Sequence, residues 1–255
     1  MAPNDETRIQ LCGRLVVKLE GRRVDDALPG VLGDLLFAYL VLNRLRPIDR
    51  AELLVAVYGE EATPGHRARL SVLLSKVRRA IGPGLLVGRA QLELVLPQGA
   101  LVDLEAAADA LHRAESHVAK GEWAAAWGPA SLAYDVGSRP LLRGQDRPWL
   151  DDWRRRIDDM QLSGLECLAT ASLELGGPEL PQAANCARRL IELAPFRESG
   201  YRILMEAFER SGNVAEALRV YDRLRIMLRD ELGIPPSSAL QDIYRRLLGD
   251  IPTNA

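Results

Sequence analysis

The sequence predicts a mainly α-helical chain in two parts: a mixed α+β domain over residues 1–100 and an all-α helical-repeat domain over residues 101–255. Three observations lead there. Strand-like alternation of apolar residues is confined to the first hundred residues, and from Val102 onward every apolar pattern has helical spacing. Hydrophobic residues make up 47% of the chain but aromatics only 5%, a composition that favours closely packed helices over a ligand-holding barrel. Residues 1–100 hold 14 Lys+Arg against 11 Asp+Glu, while the remainder holds 19 against 24, within a net charge of −2. A basic part joined to an acidic one suggests a nucleic-acid reader attached to something else.

Ile9, Leu11, Leu15, Val17 and Leu19 alternate with polar positions, and Glu20-Gly-Arg-Arg23 turns the chain before Val24, which predicts a hairpin. Val31, Leu32, Leu35, Leu36, Tyr39, Leu40 and Leu42 then repeat at helical spacing behind Pro29-Gly30. Asp49 is placed to cap a short helix over Arg50–Tyr58. After the loop Gly59–Gly65, a further helix runs from His66 to Ile81 and stops at Gly82-Pro-Gly84. Leu85, Leu86 and Val87, then Leu92, Leu94 and Leu96, flank Gly88-Arg-Ala90, giving a second hairpin with Arg89 at its tip.

No Asp or Glu occurs from residue 62 to residue 92, a stretch that carries Arg67, Arg69, Lys76, Arg78, Arg79 and Arg89. Most charge runs are simply solvated faces. A run without a single acid, lying on one helix and an Arg-tipped hairpin, points to phosphates instead. Leu70, Leu74, Val77 and Ile81 recur at i, i+4, i+7 and i+11 and form the core stripe of the helix. Arg67, Ser71, Ser75, Arg78 and Arg79 fall mostly opposite, with Arg69, Val72 and Lys76 at the flanks. These residues and Arg89 are the candidate DNA contacts. Arg and Lys can read guanine or hold phosphates; Val72 can touch a thymine methyl or join the core. His66 reads as a helix-start residue. The order hairpin, three helices, hairpin is that of a winged helix-turn-helix, and the N-terminal sheet makes it resemble the OmpR-type variant.

The second half divides into helices over Leu104–Ala119, Trp123–Tyr134, Trp149–Leu175, Leu180–Leu193, Glu198–Ser211, Val214–Leu232 and Ser238–Leu248. A weak repeat is visible: Gly121, Gly177 and Gly212 each separate a helix pair and are followed by Ala126, Ala183 and Ala217. Tyr201, Leu204, Phe208, Gly212, Ala217, Tyr221 and Leu224 follow tetratricopeptide spacing.

Leu132-Ala-Tyr-Asp-Val136, Pro140-Leu-Leu142, Trp149 with Arg154–Arg156, Ala194-Pro-Phe-Arg-Glu198 and Glu231-Leu-Gly-Ile-Pro-Pro236 resemble the bacterial transcriptional activator domain. Joined to an OmpR-type winged helix, this is the layout of the Streptomyces antibiotic regulatory protein (SARP) family, and the resemblance covers roughly residues 8–250. Two departures stand out: Val57-Tyr58 where the family often has Leu-Trp, and the apolar Val72-Leu-Leu74 within the basic helix. The resemblance implies an activator that binds direct repeats in promoter DNA, often as adjacent protomers, and contacts RNA polymerase and its sigma factor. The loop Gly59–Gly65 is the candidate polymerase-facing segment. Larger relatives append an ATPase or phosphopeptide-binding module; neither is expected here, nor the control such modules carry.

Other classes fit less well. A helical-repeat adaptor whose basic helix binds an acidic protein is the alternative; a response-regulator output domain would need a receiver domain ahead of it. An enzyme is disfavoured, because GxxxxGK, GxGxxG and HExxH are missing and His112 and His117 miss the i, i+4 metal spacing. No cofactor is implied. Cys12, Cys167 and Cys186 form no CxxC pair and read as small core residues in a reducing compartment. With no signal peptide and no membrane-length apolar run, the expected location is the cytoplasm, on the nucleoid.

Overall fold

The computed structural model describes residues 6–59 and 63–249, which divide into two compact units. The first comprises Met1–Ala106 and Arg139–Ile157, the second Ala107–Ser138 and Asp158–Ala255.

In the first unit, β1 (Arg8–Gln10) pairs antiparallel with β2 (Val16–Leu19), and β2 with β3 (Arg22–Arg23). The turn between β2 and β3 is only Glu20-Gly21, both at positive φ, as a tight two-residue hairpin requires. After α1 (Gly30–Leu42) come β4 (Ile48–Asp49), α2 (Arg50–Tyr58) and α3 (Pro64–Ile81). The hairpin β5 (Leu86–Val87) and β6 (Gln91–Leu94) follows, with β4 joining β6 to make a three-stranded sheet in the order β4-β6-β5. Leu35, Leu36, Phe37, Leu40, Leu53 and Leu74 have no exposed surface and form the core between the helices. This is the winged helix that the sequence predicts.

Three local expectations need correction. Asp49 stands at the N-cap of α2 in extended conformation, but its side chain makes no capping hydrogen bond; Ile48 and Asp49 pair instead with Leu92 and Gln91. The helix expected from His66 begins two residues earlier, because Thr63 and Pro64 suit the N-cap and first position. Leu101–Val102, where no strand was expected, forms β7 and runs parallel to β1 at the sheet edge.

The segment 139–157 completes the first unit. Cys12 forms a β-bridge with Leu141, the Gly13 amide donates to the Pro140 carbonyl at 2.9 Å, and Leu141 and Leu150 are buried. Asp103 closes the same side: its carboxylate accepts the amides of Leu11, Cys12 and Leu104. Burial pushes its pKa up, against the lowering effect of those three donors.

The helices of the second half are α4 (Asp103–Ala119), α5 (Trp123–Gly137), α6 (Pro148–Leu175), α7 (Leu180–Leu193), α8 (Glu198–Arg210), α9 (Val214–Leu232) and α10 (Ser238–Gly249). The division between units falls within α4 and α6. Gly121, Gly177 and Gly212 take positive φ between the two helices of each pair, and Ala126, Ala183 and Ala217 are fully buried. That is the physical content of the repeat: a left-handed turn residue, then a small residue that lets the next helix approach. α5 and α6 approach closely: a Cβ on Gly164 would sit 2.9 Å from the Tyr134 nitrogen. Gly233 ends α9 in the left-handed conformation, with the amides of Gly233 and Ile234 returning to the carbonyls of Arg229 and Leu228. The Gly-Ile-Pro-Pro sequence thus encodes a firm helix stop.

Candidate nucleic-acid interface

α3 is fixed at both ends. The Thr63 amide donates to His66 Nδ1 at 3.0 Å, a capping arrangement in which His replaces the usual Glu or Gln, and the His66 ring stacks on Tyr58 at 4.5 Å and 12°. At the far end Gly82, at φ 96°, returns its amide to the Arg78 carbonyl. Leu70, Leu74, Val77 and Ile81 are buried as expected, and Leu73 and Ala80 widen the stripe.

The candidate residues separate into three rows. Val72, Ser75 and Arg79 point outward; Val72 is 56% exposed, so it joins the surface and not the core. Arg67, Ser71 and Arg78 lie along the flank facing α2 and the hairpin. Arg69 and Lys76 lie along the other flank, where with Val31, Tyr58 and Val72 they border a depression of about 530 Å³. Arg89 is exposed at the hairpin tip. The side chains of Arg67, Arg69, Lys76, Arg79 and Arg89 have no hydrogen bond or ion pair among the described residues. Six arginines on the helical half, Arg154, Arg155, Arg189, Arg202, Arg219 and Arg245, by contrast each pair with a carboxylate three or four residues away.

Two candidates are engaged within the protein. Arg78 donates through Nε to the Leu86 carbonyl at 3.2 Å and through Nη2 to the Gly88 carbonyl at 2.6 Å, tying α3 to the hairpin. Gly88 is required there, since at φ 85° a Cβ would lie 1.9 Å from the Gln91 carbonyl oxygen. The Ser71 hydroxyl donates to the Arg67 carbonyl and accepts from Arg50 Nη2.

Arg50 was missed because nothing in its local sequence sets it apart from other arginines. Opening α2, it meets Ser71, and its backbone amide donates to the Ala90 carbonyl at 3.3 Å, so it joins α2, α3 and the hairpin loop. With Arg67 and Ser71 it borders a groove of about 670 Å³. α2 itself is braced from α1: the Tyr39 hydroxyl donates to Glu52 at 2.5 Å and Arg46 donates to both Glu52 oxygens. Arg46 holds the Glu52 carboxyl below its ordinary range, while burial and then Glu52 push the Tyr39 phenol up to about 12.

Among the described residues there is no cluster of His, Cys, Asp or Glu able to hold a metal, and no helix is long and apolar enough to cross a membrane. The three cysteines are free and buried, and burial pushes the Cys12 thiol up to about 12. Such thiols are poor nucleophiles.

The profile of the bacterial transcriptional activator domain matches residues 102–248. The regulatory protein AfsR of Streptomyces coelicolor is 33% identical over 222 residues, which cover 86% of this chain and 22% of AfsR. The transcriptional regulatory protein EmbR of Mycobacterium tuberculosis is 30% identical over 261 residues, covering 96% of this chain and 64% of EmbR. The chain therefore spans less than two thirds of the length of these relatives. A solved structure, Mycobacterium tuberculosis EmbR in complex with a low affinity phosphopeptide, superposes with a TM-score of 0.82 at 23% identity, over 96% of this chain and 65% of that one, and so shares its fold. With the activator-domain profile over its helical half, a winged helix ahead of it and regulatory relatives along nearly its whole length, the chain belongs to the Streptomyces antibiotic regulatory protein family of transcriptional activators.

Proposed function

We propose that the chain is a sequence-specific DNA-binding activator in which residues 1–100 read promoter direct repeats and residues 101–255 address proteins, RNA polymerase and its sigma factor among them. The observation that carries this reading is the set of cations on α3 and the hairpin: Arg67, Arg69, Lys76, Arg79 and Arg89 are exposed and, among the described residues, have no carboxylate partner. A phosphate backbone is the partner that satisfies such an array. Ser75 and Val72, on the outward row, are placed to meet base edges and thymine methyls, while Ser71 and Arg78 set the shape of the surface. Adjacent protomers on the repeats would extend the contact. The Gly59–Gly65 loop stays the candidate for polymerase contact, although residues 60–62 lie outside those described.

If all five cations engage phosphates, log K should fall with log salt at a slope of about −4.5 per protomer, so affinity drops roughly 500-fold between 50 and 200 mM salt. A genome-wide footprint supplies the operator; fluorescence anisotropy on that duplex and on a scrambled one then measures discrimination. Equal binding to both at physiological salt would sink the specific-activator reading and leave the helical-repeat adaptor.

A further inference from the structure

We propose that Arg147 and Trp149, which lie within the activator-domain match, are positioning residues of the DNA-reading surface. The proposal rests on the DNA-binding reading above and deepens it. A helix leaves its last four carbonyls without internal partners. In α2 the Gly59 amide takes the Val55 carbonyl at 2.8 Å. Trp149 Nε1 donates to the Ala56 carbonyl at 3.0 Å, and Arg147 donates to the Val57 carbonyl through both Nε at 3.1 Å and Nη2 at 3.0 Å. Among the described residues, two of the three carbonyls with a partner thus take it from a side chain some ninety positions away. A guanidinium at a helix C-terminus also meets the negative end of the helix dipole. Trp149 is fixed in turn by α1, its ring meeting Tyr39 edge-on at 5.1 Å and 80°.

The clamp sits next to the start of the recognition helix. Tyr58 follows Val57 directly, and its ring stacks on His66, which also accepts the Thr63 amide that opens α3. A shift of the last turn of α2 moves Tyr58, and with it the first turn of α3. Base-edge hydrogen bonds tolerate little displacement, whereas long cationic side chains still reach phosphates after a small tilt. The clamp therefore governs discrimination between sequences more than affinity for DNA in general. In this way a segment matched to the activator domain controls how well the winged helix reads.

The test uses the full chain with Arg147→Ala, Arg147→Lys and Trp149→Phe, the last keeping the ring against Tyr39 but removing the N–H. Measured quantities are affinity for operator and scrambled duplexes, the salt slope, and hydrogen exchange over the last turn of α2. Arg147→Ala should weaken operator binding about tenfold, the order expected for lost charge-assisted hydrogen bonds. Scrambled-duplex affinity and salt slope should stay within about twofold of wild type. Arg147→Lys, with one donor direction in place of a fork, should fall between the two. Trp149→Phe should cost discrimination alone and speed exchange at the end of α2. Parallel losses on both duplexes, or unchanged discrimination in all three variants, would overturn the proposal. Should Arg147→Ala fail to fold, Arg147→Lys and Trp149→Phe decide it. A wild-type chain that does not discriminate refutes the DNA reading itself, a result distinct from either.

Discussion

Arg78 and Arg79 are neighbours of the same type with different work. Arg79 is exposed and has no partner among the described residues, while Arg78 is half-buried with its guanidinium on two hairpin carbonyls. Arg79→Ala should lower the magnitude of the salt slope by about 1 and weaken all duplexes alike if it holds a phosphate, or cost ~1 to 3 kcal/mol with relaxed specificity if it reads a base. Arg78→Ala should instead speed hydrogen exchange at residues 88–92, because its loss frees the hairpin; unchanged exchange there would refute the tether. Glu52 and Tyr39 give the first unit a pH dependence. Glu52 has its folded pKa lowered, so its contribution is present above the ordinary value of 4.5 and is lost as pH falls through the folded one. Tyr39 is raised, so its contribution is present below the ordinary value of 10 and is lost as pH climbs toward 12. Thermal unfolding across pH should therefore show an acid arm that Glu52→Gln flattens, and an alkaline arm that Tyr39→Phe removes.

Among the elements, α3 was the most legible. Its stripe of Leu70, Leu74, Val77 and Ile81 has a strict helical period, and Gly82-Pro83 leaves no doubt about its end. Which basic residues are free could not be read in the same way. Helical spacing says that Arg67 and Arg78 share a flank, but only the folded hairpin shows that Arg78 donates to carbonyls while the Arg67 side chain meets none among the described residues. Very short strands were the least legible elements: β4 and β7 are two residues each and exist because β6 and β1 offer them partners. The α5–α6 crossing is decided by the absence of side chains. Gly164→Ala would press a Cβ against Tyr134 N at 2.9 Å and Ala130 O at 3.2 Å, both backbone atoms that cannot rotate away. It should destabilise the second unit by about 1 to 3 kcal/mol, seen as a lower denaturant midpoint; a neutral result would show that the helices can slide apart freely.

For the whole molecule, the two units interleave in sequence, and this bears on how the chain can be cut. A fragment ending at Val102 loses Asp103, Glu105, Arg147 and Trp149 together. It leaves the Leu11 and Cys12 amides and the Ala56 and Val57 carbonyls without their partners, and Arg44 without Glu105. Such a fragment should unfold at lower temperature than the first unit of the full chain, exchange faster in β1 and α2, and discriminate operator from scrambled DNA less well. Full-chain stability and discrimination in the fragment would show that residues 1–102 suffice.

The residues in their order were enough for the mixed α+β start and helical remainder, most of the helices, the buried stripe of α3, the acid-free basic stretch and the family. Each of these is local: a period, a turn residue or a charge count needs no knowledge of distant neighbours. Tertiary structure alone decided that Arg78 tethers the hairpin, that Arg50 joins Ser71 to the hairpin loop, and that Arg147 and Trp149 close the end of α2. Those contacts span from 8 to 93 positions, and an arginine that holds a carbonyl looks, in sequence, like one that waits for a phosphate. What separates them is whether folding brings an acceptor within hydrogen-bond distance, a matter of geometry that no residue carries in its own identity.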